Sequence, residues 1–440
     1  MKTRTLSLCI ALLMVLGLGL SACGGNDAPP AADTPAGNQE PAPQQNNQPA
    51  VQPEGGETVE LTMGSWRTDD VAQMNNLLAA YKAVAPNVTI TFQPTNPPDY
   101  NATLRLQLEG GTGPDLMYAR SYATGAELFS AGYFYDCSDI PGLQENFSSD
   151  ARGPWTSDGK SFAVPFAAVS HAVYYNKDIF AANNLSIPTT WEDFIKVCET
   201  LKAAGITPLA NGVADEWDIL ECFFLGMVPN YVGGAAEREK YEKGEKPMNS
   251  AEFVNAYTDF GSVAQYLPQG FEAITYNDSQ VMFNTGTAAM FMDGSWTAGV
   301  YDGAPFEWGL FAIPARAASD TAVCFHMDMA ITMNANSAHP EEAKAFLAWL
   351  CTQEGATIAS QNLPLGYFPV IDFPITLEDA HVNEFLQLNE GKTTDVRFVW
   401  PELMDLYAPM NQAIISLLKG DLTPQAAADA VEAEYQKLGR

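Results

Sequence analysis

The stretch "VELTMGSWRTDDVAQMNNLLAAYKAVAPNVTITF", residues 59–92, decides the fold class. Val59, Leu61 and Met63 alternate with Glu60 and Thr62, the period of a half-buried strand. Met74, Leu77, Leu78 and Tyr81 then recur at helical spacing until Pro86, and Val88, Ile90 and Phe92 alternate again. Strand, helix and strand in this order form a βαβ unit, which implies a parallel sheet. A further helix over about 99–109 stops at Gly110-Gly111, and "PDLMYA" (114–119) reads as a short buried strand.

The same grammar continues downstream. Thr189 with Glu192 predicts a capping box for a helix that ends at Gly205. "HPEEAKAFLAWLCTQEG" (339–355) reads as one helix with acids in its first turn and Gly355 near its end, and Thr423-Pro424 opens another. The fold class is therefore α/β, with three-layer lobes. The chain has 440 residues. One hydrophobic core rarely serves more than about 250–300 residues, so two lobes are expected.

Residues 1–22 carry a different signal. Lys2 and Arg4 precede the apolar run Ile10 to Leu20, which is too short to cross a bilayer. Leu20-Ser21-Ala22-Cys23 resembles the bacterial lipobox, in which the cysteine is lipidated after cleavage. Residues 23–57 are rich in Pro, Ala, Gln and Asn and contain no aromatic residue, the composition of a disordered spacer. Such a coil reaches on the order of 30 Å.

The formal net charge is −31, or −33 without Lys2 and Arg4, which disfavours nucleic acid and other polyanions as partners. Of seven cysteines, five lie beyond residue 23: Cys137, Cys198, Cys222, Cys324 and Cys351. Their odd number and the lack of a CxxC spacing argue against a disulfide framework and a zinc site. His171, His326, His339 and His381 are scattered, and each by itself reads as a satisfied or surface histidine. No catalytic motif, cofactor or metal is indicated.

Aromatic residues instead recur in irregular, polar or glycine-rich segments: Trp66, Tyr122, Phe166, Trp217, Trp296 and Tyr367. With neighbours such as Arg67, Asp69, Arg120 and Asp293, these faces suit a polyhydroxylated ring. Its C–H face stacks on an aromatic and its hydroxyls bond to polar groups.

Four segments carry a resemblance. These are "GGTGPDLMYA" (110–119), "DGKSFAVPFAAVSHAVYYNKDIFAANNLSIPTTWEDF" (158–194), "FNTGTAAMFMDGSW" (283–296) and "SAHPEEAKAFLAWL" (337–350). In this order the chain resembles the extracellular solute-binding proteins of carbohydrate ABC importers, the maltose-binding-protein-like group. The resemblance covers nearly all of 58–440. It implies a two-lobed periplasmic-binding-protein-like fold of type II, hinged near Ala168 and Phe311 and closing on a sugar. Lobe 1 would comprise 58–168 plus 310–365, and lobe 2 would comprise 169–309 plus 366–440. Trp296 inherits the sugar-stacking role from the family's Gly-x-Trp. The family's loops map onto Trp66 to Asp70 and onto Arg120 to Tyr122. Val169 and Ser170 stand where maltose binders carry an acid, and "VCFHMDMAI" (323–331) replaces glycines, so that His326 and Asp328 reach the cleft.

The resemblance further implies a monomer held at the outer face of the bacterial cytoplasmic membrane by its lipid alone, delivering sugar to the transmembrane subunits of a permease. Two other readings stay open at this point. One is a receptor for another solute, such as a polyamine, a metal complex or glycerol phosphate. The other is a lipid-anchored carbohydrate-active enzyme.

Overall fold

The computed structural model describes residues 58–377 and 379–439. The leader, Cys23 and the spacer lie outside the described residues. Twelve strands run among them: β1 (Val59–Ser65), β2 (Val88–Pro94), β3 (Leu116–Ala119), β4 (Thr156–Ser157), β5 (Lys160–Ser161), β6 (Val164–Asn176), β7 (Thr207–Leu209), β8 (Ala288–Gly294), β9 (Trp308–Phe311), β10 (Val323–Met333), β11 (Phe368–Pro369) and β12 (Thr394–Asp395). The main sheet has the order β2-β1-β3-β10-β6-β8-β7, with β9 and β11 on β6 and β12 on β10. β4 and β5 form a separate ribbon.

The opening βαβ unit forms as its periodicity predicts. β1 pairs parallel with β2 from Val59↔Val88 to Ser65↔Pro94, and the helix Val71–Val84 buries Met74, Leu77, Leu78 and Tyr81. β3 joins the other edge of β1, again parallel.

β6 organises the rest. It is 13 residues long and buried at every position. Its first half pairs antiparallel with β10, and its second half, from His171, pairs antiparallel with β8 and β9. One strand therefore enters two hydrophobic cores. Leu61, Leu77, Met117, Phe162, Ile331 and Phe346 belong to the first, which Val382 and Phe385 also join. Val173, Phe194, Phe223, Met290, Phe398 and Ile414 belong to the second.

Two local expectations are corrected. The cap of the helix Trp191–Ala203 is Thr190, not Thr189; Thr190 Oγ1 accepts from Asp193 N at 3.2 Å and donates to Asp193 Oδ2 at 2.8 Å. Gly205 does follow in the left-handed region, φ +77°. The segment 339–355 is not one helix. Pro340–Leu350 ends at Cys351, and Thr352 Oγ1 accepts from Gly355 N to start a second helix, Gln353–Gln361. A threonine cap inside an apolar run outweighed the continuous periodicity. The five cysteines beyond residue 23 are free and buried.

Candidate functional site

The carboxyl end of β1 delivers Trp66 and Arg67. Trp66 is buried edge-on against Tyr100 and Tyr118, at 5.5 and 5.3 Å between centroids, and the Arg120 guanidinium lies 3.8 Å over its ring. Arg67 makes a bidentate pair with Asp70 (2.6 and 2.7 Å) and sits 5.2 Å from the Tyr367 ring. Asp69 is exposed, so Asp70 is the acid that fixes Arg67. Tyr367 reaches this place because Gly366 adopts φ +87°, where a Cβ would stand 1.7 Å from the Ser295 carbonyl oxygen.

β10 contributes Asp328. It is 7% exposed and accepts no hydrogen bond from any described residue. Burial raises its pKa, against the opposing pull of Arg397, Arg120 and Arg67. Arg120 pairs with no carboxylate among the described residues; its Nε donates to Asn101 Oδ1 at 3.3 Å. Beside Arg120 and Tyr118 a cavity of about 310 Å³ opens, lined also by Tyr100, Asn101 and Arg105.

The second side is built around Trp296, which is 9% exposed. Its indole folds back over Gly294, where a Cβ would lie 1.9 Å from a ring carbon, so only glycine fits. Its Nε1 donates to Tyr276 Oη at 2.8 Å, and Tyr276 donates in turn to Asp293 Oδ2 at 2.8 Å. Asp293 is fully buried and positions this relay from behind the indole. Trp217 packs on Tyr276 at 3.7 Å between centroids. Arg397 lies 5.0 Å over the Trp296 ring and 4.3 Å over that of Trp400, and it pairs with Glu221, which also accepts from Tyr407 Oη at 2.6 Å.

Among the residues expected at the site, the structure brings Trp66, Arg67, Arg120, Asp328 and Tyr367 into one neighbourhood. Arg120 and Asp328 feel the charges of Arg397 and Glu221 directly, which joins the Trp296 side to it. Phe166 lies behind Tyr118, at 6.3 Å. Tyr122 stands further along, within the fields of Arg238 and Asp395, in a left-handed backbone conformation (φ +55°) that is strained for a tyrosine.

Sequence reasoning missed Glu221, Tyr276, Arg397 and Trp400. "DVRFVW" (395–400) carried the same signal as the others, an aromatic beside a charge. Glu221 lies on a π-helical turn, Asp218–Phe224, a form that recurs at functional sites.

Two buried acids support this wall. Asp218 accepts from Asn211 Nδ2, Gly212 N and Ser279 Oγ, yet burial pushes its pKa up to about 7. Burial likewise pushes Asp293 up to about 6. An unfolded aspartate titrates near 3.9. Both groups therefore hold protons more tightly when folded, and folding loses stability as pH rises from about 4 through about 7. The raised Asp328 and Asp395 act in the same direction. Asp136 and Asp139 are lowered and act only below this window. His171 and His326, held neutral by burial, act in the opposite direction below about pH 6.5. The carboxyl effect is therefore read as a difference: the urea midpoint of the wild type relative to that of Asp218→Asn is expected to fall between pH 5.5 and pH 8, and a relative midpoint that rises over this range would contradict the burial of this carboxyl.

Comparison with known proteins is consistent with this geometry. Residues 76–372 match the family model described as bacterial extracellular solute-binding protein. The multiple sugar-binding protein of Streptococcus mutans is 26% identical over 346 residues, 75% of this chain and 78% of the relative. The maltotriose-binding protein of Pyrococcus abyssi is 24% identical over 309 residues, 69% of this chain and 64% of the relative. Among solved structures, the solute receptor AcbH, described as preferring β-D-galactopyranose, superposes with a TM-score of 0.76 at 18% identity, over 87% of this chain and 100% of that one. A chitin oligosaccharide binding protein gives 0.73 at 20%, over 87% and 99%. The fold is thus the two-lobed α/β binding-protein fold, and the chain belongs to the bacterial extracellular solute-binding protein family.

Proposed function

We propose that this protein captures a neutral sugar or oligosaccharide outside the cytoplasm and presents it to an ABC permease, without catalysis. One observation carries the reading. Asp328, a buried carboxylate with no hydrogen-bond donor among the described residues, faces a neighbourhood of aromatic rings and guanidiniums. A sugar supplies both missing partners: hydroxyls that donate to Asp328, and C–H faces that cover Trp66, Tyr367 or Trp296. The sugar-binding relatives support the same class of ligand.

Charge argues against the other solutes. Arg67, Arg120 and Arg397 repel a polyamine. Arg67 and Arg397 already hold Asp70 and Glu221, and Asp328 repels a phosphate. Calorimetry with neutral mono- and oligosaccharides, spermidine and glycerol phosphate tests this. Heat of binding is expected only with a neutral sugar; saturable binding of spermidine or glycerol phosphate instead would overturn it. Release of reducing ends from an oligosaccharide would place the protein among enzymes.

Closure between the lobes expected from sequence, 58–168 with 310–365 and 169–309 with 366–440, accounts for how such a ligand is enclosed. Support comes from β6, which contributes residues to both hydrophobic cores and has the helix Ala380–Asn389 packed beside it. A monomer tethered through Cys23 by lipid and spacer completes the proposal. Membrane-extracted protein is expected to carry acyl mass on Cys23, and Cys23→Ser to release it into the soluble fraction. An unmodified Cys23 in membrane-bound protein would remove the anchor.

A further inference from the structure

The described residues contain one group of three soft ligands outside the sugar-facing carboxylates: His171, Cys324 and His326, all buried, with candidate ligand atoms within 4.8 Å of one another. The sheet explains their meeting. β6 and β10 are antiparallel neighbours, with Phe325 opposite Ser170 and His326 opposite Val169. Cys324 and His326 are two residues apart and so project to one side of β10, beside the end of the ladder where His171 lies.

Both imidazoles are held as metal-ligating histidines are. His326 Nδ1 faces the Met327 carbonyl at 3.3 Å and His171 Nδ1 faces the Cys222 carbonyl at 3.4 Å. A carbonyl can only accept, so Nδ1 carries the proton in each ring and Nε2 keeps its lone pair. Tying the far N–H to a carbonyl is the arrangement that orients a ligating imidazole. His326 Nε2 is buried and has no hydrogen-bond partner among the described residues. His171 Nε2 faces the Arg397 Nε–H, at a long 3.4 Å.

We infer that His171 Nε2, Cys324 Sγ and His326 Nε2 form a trigonal site for a soft monovalent cation, Cu⁺. One sulfur and two imidazoles suit a soft ion. Charge selects the monovalent one. Binding breaks the Cys324 S–H bond, forms an S–Cu bond and releases the proton to solvent, so Cu⁺ replaces H⁺ and the net charge of the buried centre is unchanged. A divalent ion would leave an extra positive charge next to Arg397, in a place poor in solvent. Ligand bonds of about 2.0–2.3 Å place ligands about 3.5–4 Å apart. Side-chain shifts of under about 1 Å close the site. The His171 ring packs edge-on to Trp296 at 5.3 Å and the His326 ring to Trp400 at 4.9 Å, so the ion would stiffen the wall that carries Trp296.

The test is anaerobic titration of the reduced full chain with Cu⁺ against the chromophoric competitor bicinchoninate, beside Cys324→Ser and His326→Gln. The other thiols give the same background in all three proteins. The wild type is expected to hold one equivalent more than Cys324→Ser. His326→Gln should weaken that equivalent by more than about 100-fold, since it removes a direct ligand. If Cys324→Ser fails to fold by circular dichroism, the copper-edge absorption spectrum of the wild type decides: one sulfur and two nitrogens support the site. Equal retention by folded wild type and His326→Gln, or a sulfur-only spectrum, overturns it. Retention of Zn²⁺ in preference to Cu⁺ overturns the choice of ion.

Discussion

Trp296→Ala is expected to weaken sugar binding by about 30- to 1000-fold, roughly 2–4 kcal/mol, the range of a buried aromatic anchor. The indole is held rather than merely packed. It is seated over Gly294, its Nε1 bonds to Tyr276, and its ring carries the Arg397 guanidinium at 5.0 Å. A rigid flat face next to donors and acceptors binds a pyranose without first having to be ordered. The melting curve of the unliganded mutant should move less than the affinity, because one face meets a guanidinium and not close-packed hydrocarbon. The opposing view makes Trp296 a core residue. It requires a fold loss of about 3–5 kcal/mol with a normal Kd in the protein that stays folded. Measuring unfolding and Kd on this one variant separates the two.

Asp328→Asn should move stability and affinity in opposite directions. The native carboxylate is largely buried and accepts no hydrogen bond from any described residue, so ionising it opposes folding. The amide removes that charge at nearly constant volume, and the unliganded variant is expected to be as stable as the wild type or more so. Sugar binding should weaken by about 10- to 150-fold, the loss of a charge-assisted hydrogen bond worth about 1.5–3 kcal/mol. In the wild type, affinity should fall as pH drops through the raised pKa of Asp328, and this dependence should vanish in the variant. A variant that loses stability and keeps its affinity would make Asp328 a structural acid paired to Arg120. Sites built for binding commonly hold such a cost to stability.

Residues 59–92 were legible because their two periods differ, and each is long enough to count. The break at Cys351–Thr352 was not, because the apolar spacing continues across it and only a threonine side chain ends the first helix. The cap at Thr190 was displaced by one residue for a similar reason: two adjacent threonines offer the same chemistry, and the backbone of Thr190 is the one that is extended. At the site, Trp66 and Tyr367 stood out as aromatics in non-periodic segments. Asp70 was passed over for Asp69 because adjacent acids cannot be told apart until the turn aims one at Arg67. The Glu221–Arg397 pair was beyond reach, since its members are 176 residues apart and neither lies in a distinctive motif. The three soft ligands were dismissed one at a time, because only the pairing of β6 with β10 makes them a group.

The strand β6 also bears on how the chain reaches its folded state. Its first half needs β10 and its second half needs β8 and β9 before its backbone groups are paired. The second core is completed only by residues from Phe398 to Tyr435. A nascent chain that lacks β8, β9 or β10 would present part of an apolar strand as an open edge, a template for aggregation, and one that lacks Phe398 to Tyr435 would leave the second core uncovered. The two hydrophobic cores thus differ in membership but not in assembly: neither has a private sheet to complete, and acquisition of the native state should be a single late event, slowed by pairings that are distant along the chain.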